Sequence, residues 1–160
     1  MNRKVYLLKK KEKRNITNWD NKDYLLDKKN HISIVNQVFL NESFEGCDAV
    51  KKAVRKKIQS YKQQDIKKNK YSEENFIKEE EVYEKLVISK LKCYYCKEKT
   101  LIMYENKREM RQWTLDRLDN SIGHDKNNVV ICCLKCNLER RCINNDKFLF
   151  TKQFKLIKKV

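Results

Sequence analysis

The sequence has no proline, only two glycines, and no uninterrupted apolar run near the roughly 18 to 20 residues needed to span a bilayer. The last absence excludes a transmembrane helix. The scarcity of proline and glycine beside abundant Lys, Asn and Ile is what AT-rich coding sequence tends to produce, so it carries little structural weight. At the start, Met1-Asn2-Arg3-Lys4-Val5-Tyr6-Leu7-Leu8 gives way to Lys9 too soon for an export signal. An intracellular site is therefore expected, cytoplasmic, nuclear or virion-associated, and not secretion. There is no internal repeat. At 160 residues and 19.5 kDa, one domain with an extension or two small modules fit, but not a large enzyme with separate substrate and cofactor domains.

What is abundant is positive charge. Thirty-eight Lys and Arg against 22 Asp and Glu give a net charge of +16, which points to a polyanionic partner. Nucleic acid is the stronger reading and an anionic membrane the weaker. With 38% charged and 40% apolar residues, a modest core is available and much of the chain must stay at the surface.

Residues 1 to about 30, with the run Lys9-Lys10-Lys11-Glu12-Lys13-Arg14, show little apolar periodicity and read as a loosely packed arm. His31 to Leu40 is apolar enough for a strand or a short buried helix, and periodicity does not separate the two. From 48 to 68, with Asp48 as a cap, Ala49, Val50, Ala53, Val54, Ile58 and Tyr61 recur at helical spacing. The other face of that helix carries Lys51, Lys52, Arg55, Lys56, Lys57 and Lys62, and positions 49 to 70 hold nine basic residues against Asp65, nine minus one, or +8. Such a face suits a row of phosphates, the alternative being simple solvated charge. Ser72 to Leu91 is a second helix candidate, acidic at its start as the helix dipole favours.

Seven cysteines are an odd number, and four of them form Cys93-Tyr-Tyr-Cys96 and Cys133-Leu-Lys-Cys136, so metal binding is a better reading than a disulfide framework. Two such turns complete a four-thiolate tetrahedral zinc site with no open position, which makes the zinc structural. No thioredoxin-like βαβ pattern surrounds either pair, which disfavours redox chemistry. Cys47, Cys132 and Cys142 are spare. The 36 residues between the pairs imply an inserted substructure. Thr100–Tyr104 and Gln112–Leu115 can pair as strands, Val129–Ile131 forms a third, and a helix runs from about Leu134 through Arg141.

Trp113-Thr-Leu-Asp116-Arg117-Leu-Asp119-Asn120-Ser-Ile-Gly123-His124, followed by Asn128-Val-Val-Ile-Cys-Cys133-Leu-Lys-Cys136-Asn137, resembles the HNH (His-Me finger) endonucleases. The similarity is greatest to the zinc-knuckle subgroup that includes recombination endonuclease VII and HNH proteins of phages and large DNA viruses. It covers residues 91 to 142. It implies an α+β fold with a ββα-metal finger stapled by zinc within a nuclease domain at 71–160, and it does not reach residues 1–70, whose charge and apolar spacing read as a basic, mainly helical extension. It further implies that Asp116 and Asn137 hold a catalytic Mg²⁺ or Mn²⁺ and that Asn128 braces the loop. Arg117 stands where the family has its general-base His. Arginine cannot accept a proton in a protein, so its role would be to clamp the phosphate. The base would then be His124, Asp119 or a metal-bound hydroxide.

The leading expectation is a metal-dependent DNA endonuclease acting on duplex or branched DNA. The alternatives are a zinc-stabilised nucleic-acid-binding protein with a degenerate finger, and a packaging protein supported only by charge. Oligomeric state, including a homodimer, stays open.

Overall fold

In a computed structural model that describes residues 11–158, Leu25 is wholly buried and ties the short helix α1 (Lys22–Leu26) to the core. The described part of the N-terminal segment is not the loose arm expected from its polar sequence. The Arg14 amide donates to the Glu105 carbonyl at 2.8 Å and its side chain to the Tyr104 carbonyl at 3.2 Å. Its guanidinium also lies 5.1 Å from the Trp19 ring centre and 4.6 Å from that of Tyr104, so one arginine between two aromatic rings fastens a stretch that has no apolar periodicity. Lys9 and Lys10 of the basic run lie outside the described residues.

His31–Phe39 is helix α2, with His31, Ile34, Val35 and Val38 buried at helical spacing. The ring of His31 bridges the Leu25 carbonyl and the Ile102 amide, at 2.9 and 3.3 Å. Helix α3 (Cys47–Lys67) is preceded by Gly46, not capped by Asp48. Gly46 has φ +92°, and a Cβ there would lie 2.8 Å from the Asp20 carbonyl, so only glycine allows this entry. Helix α4 (Glu79–Ile88) is shorter than the expected 72–91. The backbone before it pairs elsewhere: the Ile77 amide donates to the His124 carbonyl at 3.0 Å, and the Lys126 amide to the Asn75 carbonyl at 3.0 Å.

The sheet has two strands, β1 (Trp113–Arg117) and β2 (Val129–Cys133), antiparallel with Trp113 opposite Cys133 and Arg117 opposite Val129. Thr100–Tyr104 is not a strand. All five side chains are buried, so the run packs on every side and keeps only one bridge, between Leu101 and Gln112. Helix α5 (Leu134–Arg140) follows β2 directly and stops where Arg141 turns to φ 51°. Helix α6 (Asn145–Ile157) has no counterpart among the sequence-based expectations; it sets Phe148 edge-on against Tyr95, ring centres 4.9 Å apart. No described helix is long and apolar enough to cross a membrane.

The main core gathers Val50 and Val54 from α3 with Val82 and Leu86 from α4 and with Leu115 and Ile131 from the strands. It therefore runs across residue 70, and the segments before and after that point share one apolar interior. Residues alternate across a strand, so Trp113 and Leu115 face this core while Thr114 and Asp116 face the other way, towards α5.

Candidate functional site

Cys93, Cys96, Cys133 and Cys136 place their sulfur atoms within 4.8 Å of one another, a set that can hold a metal ion such as zinc. Tetrahedral metal–sulfur bonds of about 2.3 Å would draw those sulfurs to about 3.8 Å apart, a small contraction. Thiols this close share protons. Hydrogen bonding, with Cys133 first, pulls Cys93 down to about 6 and Cys96 below the ordinary thiol value, while the same contact pushes Cys136 up. A bound metal ion would displace the shared protons and take all four sulfurs as thiolates, which is the chemistry of the donor set. The Cys136 amide and an Arg111 N–H donate to Cys133 and Cys96 sulfurs at 3.4 and 3.6 Å. Cys132 points away, bonded to Thr114, and burial raises its thiol well above the ordinary range.

Asp116 is 7% exposed. Its Oδ2 accepts from the Tyr95 hydroxyl at 2.6 Å and from Arg140 Nη1 at 2.6 Å. Arg140, 1% exposed, also donates to the carbonyls of Arg117, Leu118 and Ile143, so it knits β1 and the loop after it to α5. Asp116 is thus already paired with a cation through one oxygen, and Oδ1 is the atom left for a metal. Asn137 donates to Thr114 Oγ1 at 3.1 Å, and Thr114 shares a strand face with Asp116. The two residues that the sequence resemblance implies as cation ligands therefore sit on one side of the sheet, with Asn137 and Arg140 on neighbouring turns of α5. Their hard oxygens suit Mg²⁺ or Mn²⁺, whereas the adjoining guanidinium opposes a second positive charge.

Arg117 folds onto its own loop and donates to the carbonyls of Asn120 and Ile122 at 3.4 and 3.2 Å. Asn128 accepts from the Asp119 amide and donates to the Asp119 and Gly123 carbonyls, all at 2.9 Å, spanning the loop from both ends. Asp119 is exposed, and Oδ1 caps Ser121 through its amide at 2.8 Å and its hydroxyl at 2.6 Å. Those bonds lower its carboxyl pKa, making it a poorer base.

His124 has a different setting. Asp65, wholly buried on α3, meets its Nδ1 at 2.7 Å and accepts from its backbone amide at 2.6 Å. The Tyr61 ring lies 4.6 Å away at 33°, and the Tyr61 hydroxyl accepts from the Leu115 amide of β1 at 3.1 Å. Gly123 permits this approach: a Cβ there would stand 2.4 Å from the Lys70 carbonyl and 2.7 Å from Asp65 Oδ2. With Nδ1 engaged, Nε2 has no hydrogen-bond partner among the described residues, and the residue is 5% exposed. Burial lowers the imidazole pKa and outweighs the opposing pull of Asp65, so the ring is neutral at neutral pH.

The α3 cations do not form one free row. Arg55 is paired with Glu79 at 2.8 Å. Lys57 turns inward to the Trp113 carbonyl, its ammonium 4.7 and 5.2 Å from the ring centres of Trp113 and Tyr104. Burial first, and the Arg14 charge second, push it well below the ordinary lysine range. Lys62 lies over Tyr71 at 5.0 Å, whereas Lys52 and Lys56 stand exposed and Lys51 half-exposed.

Asp65, Arg140, Tyr95 and Tyr61 were not among the candidates drawn from the sequence. One signal was present: α3 is strongly basic and holds two acids, and Asp65 is the one on its buried side. No protein-family model, curated protein or solved structure matches the chain.

Proposed function

We propose that the chain is a metal-dependent HNH-type DNA endonuclease, with β1, β2 and α5 as its ββα-metal finger and a structural zinc on the four cysteines. The observation that carries this reading is the Asp65–His124 pair on the loop that joins the strands, with Nε2 unpartnered among the described residues and the ring neutral. In hydrolysis, Nε2 removes a proton from the attacking water, and Asp65 stabilises the imidazolium that results. The water oxygen forms its bond to phosphorus as the bond to the sugar oxygen breaks, and that oxygen takes a proton from solvent. Arg117 fixes the loop that carries His124 through the Asn120 and Ile122 carbonyls, a positioning role in place of the phosphate clamp. A divalent ion held by Asp116 Oδ1 and the Asn137 amide oxygen would neutralise charge on the phosphoryl group.

The test is incubation of purified protein with supercoiled plasmid and branched DNA in Mg²⁺, Mn²⁺ or EDTA. Nicking in metal and none in EDTA is the expected result; equal activity in EDTA, or none anywhere, rejects it. The Arg140 guanidinium on Asp116 favours a second reading, a non-catalytic zinc-stabilised nucleic-acid-binding or packaging protein with a degenerate finger. Gel shifts insensitive to EDTA, without nicking, would select it.

A further inference from the structure

A cavity of about 970 Å³ lies between residues 13–20 and α3, and neither Asp116, Asn137 nor His124 lines it. Arg14, Lys52 and Lys56 stand around it, and Trp19, Tyr104 and Lys57 also line it. Asp20 and Asp48 are the carboxylates in its wall, while Lys13 and Lys107, also there, are already paired with Glu105 and Glu12. Lys52 and Lys56 form no ion pair among the described residues. Arg14 is held between Trp19 and Tyr104, which fixes its guanidinium before any ligand arrives.

A duplex presents phosphates on a convex rod with its bases already stacked, so it gains nothing from an aromatic ring recessed in a concave basic cleft. An unpaired nucleotide gains on both counts: its base finds a π surface and its flanking phosphates find cations. We propose that this cleft binds a single-stranded segment of nucleic acid, an unpaired base lying against Trp19 and the adjoining phosphates on Arg14, Lys52 and Lys56. The inference rests on the nucleic-acid-binding reading above and narrows it. On a branched substrate, the cleft would hold the unpaired strand while duplex lies over the finger.

The protein has two tryptophans, and Trp113 is 1% exposed, so a ligand in the cleft reports through Trp19. The experiment is fluorescence titration of the full chain in EDTA with a short oligothymidylate and with a hairpin duplex of equal length. Saturable quenching by oligothymidylate, abolished in Trp19→Phe, is expected. Lys52→Glu/Lys56→Glu, both exposed positions, should weaken oligothymidylate binding at least about tenfold relative to the charge-matched control Lys28→Glu/Lys29→Glu. It should also lower the slope of log affinity against log salt by about 0.7 for each phosphate no longer neutralised. Equal weakening by the control pair, or quenching that survives Trp19→Phe, overturns the proposal. Duplex binding without single-strand binding overturns it and leaves the broader reading standing; binding of neither removes both.

Discussion

Asp65 is wholly buried and spends both its oxygens on one residue, His124. Replacing it with Asn turns an acceptor at Nδ1 into a potential donor, which favours the tautomer with its proton on Nε2 and removes the base. Asp65→Asn is therefore expected to lower turnover by about 10²-fold or more with DNA affinity little changed, and His124→Ala by about 10² to 10⁴. Because burial lowers the His124 value, the acid limb of kcat/KM against pH should have its midpoint below the ordinary 6.5; a midpoint above it would point to another base. Asp116 needs a different test. Removing one partner of a buried ion pair strands the other, so Asp116→Ala and Arg140→Ala should each cost about 3–5 kcal/mol in urea unfolding. Loss of cleavage in Asp116→Ala would then report folding as much as metal binding, and Asn137→Ala, half-exposed and outside the ion pair, is the cleaner probe of the cation.

Helices α3 and α5 were legible because their apolar spacing, or a metal knuckle at the start, is a local property, whereas the apolar run that forms α2 fitted a strand equally well. The cysteine pairs were legible for the same reason: two Cys-x-x-Cys turns announce themselves without knowledge of the fold. The truncation of α4 and the absence of a strand at 100–104 were not, since partners distant in sequence decide both, the His124 carbonyl for the Ile77 amide and the His31 ring for the Ile102 amide. The partners of the candidate site were hidden likewise: Asp65 and His124 are 59 residues apart, and Arg140 and Asp116 are 24 apart. The cysteine cluster belongs to a small second core with Tyr95 and Phe148, and the Tyr95 hydroxyl reaches Asp116. Such a core is too small to stand without its staple. Cys93→Ser, or a strong chelator, should therefore loosen α5 and α6 together. The checks are zinc content near one per chain by atomic emission, and helix loss in far-UV circular dichroism on chelation; a folded, zinc-free protein would contradict this.

Across the whole molecule, the continuity of the main core means that a chain beginning at Tyr71 lacks the α3 surface against which Leu115 and Ile131 pack. Such a fragment should show no cooperative unfolding transition in urea. Both histidines are buried, and burial leads the causes that lower each below 6.5. The unfolded chain consequently binds more protons than the folded one once the pH drops below about 6.5, so stability is full above that value and falls towards acid. The urea midpoint should decline as the pH falls below about 6.5, and less steeply in His31→Asn. The same long-range pairing has a temporal side. Asp65 leaves the ribosome 59 residues ahead of His124, a delay of about 3–12 s at about 5–20 residues per second. During that interval the nascent chain carries an amphipathic basic helix covered only by what α2 and then α4 supply, and a lone carboxylate awaiting its imidazole. The Asp65–His124 pair therefore closes only after most of the main core has been synthesised, which makes it a late event on the ribosome.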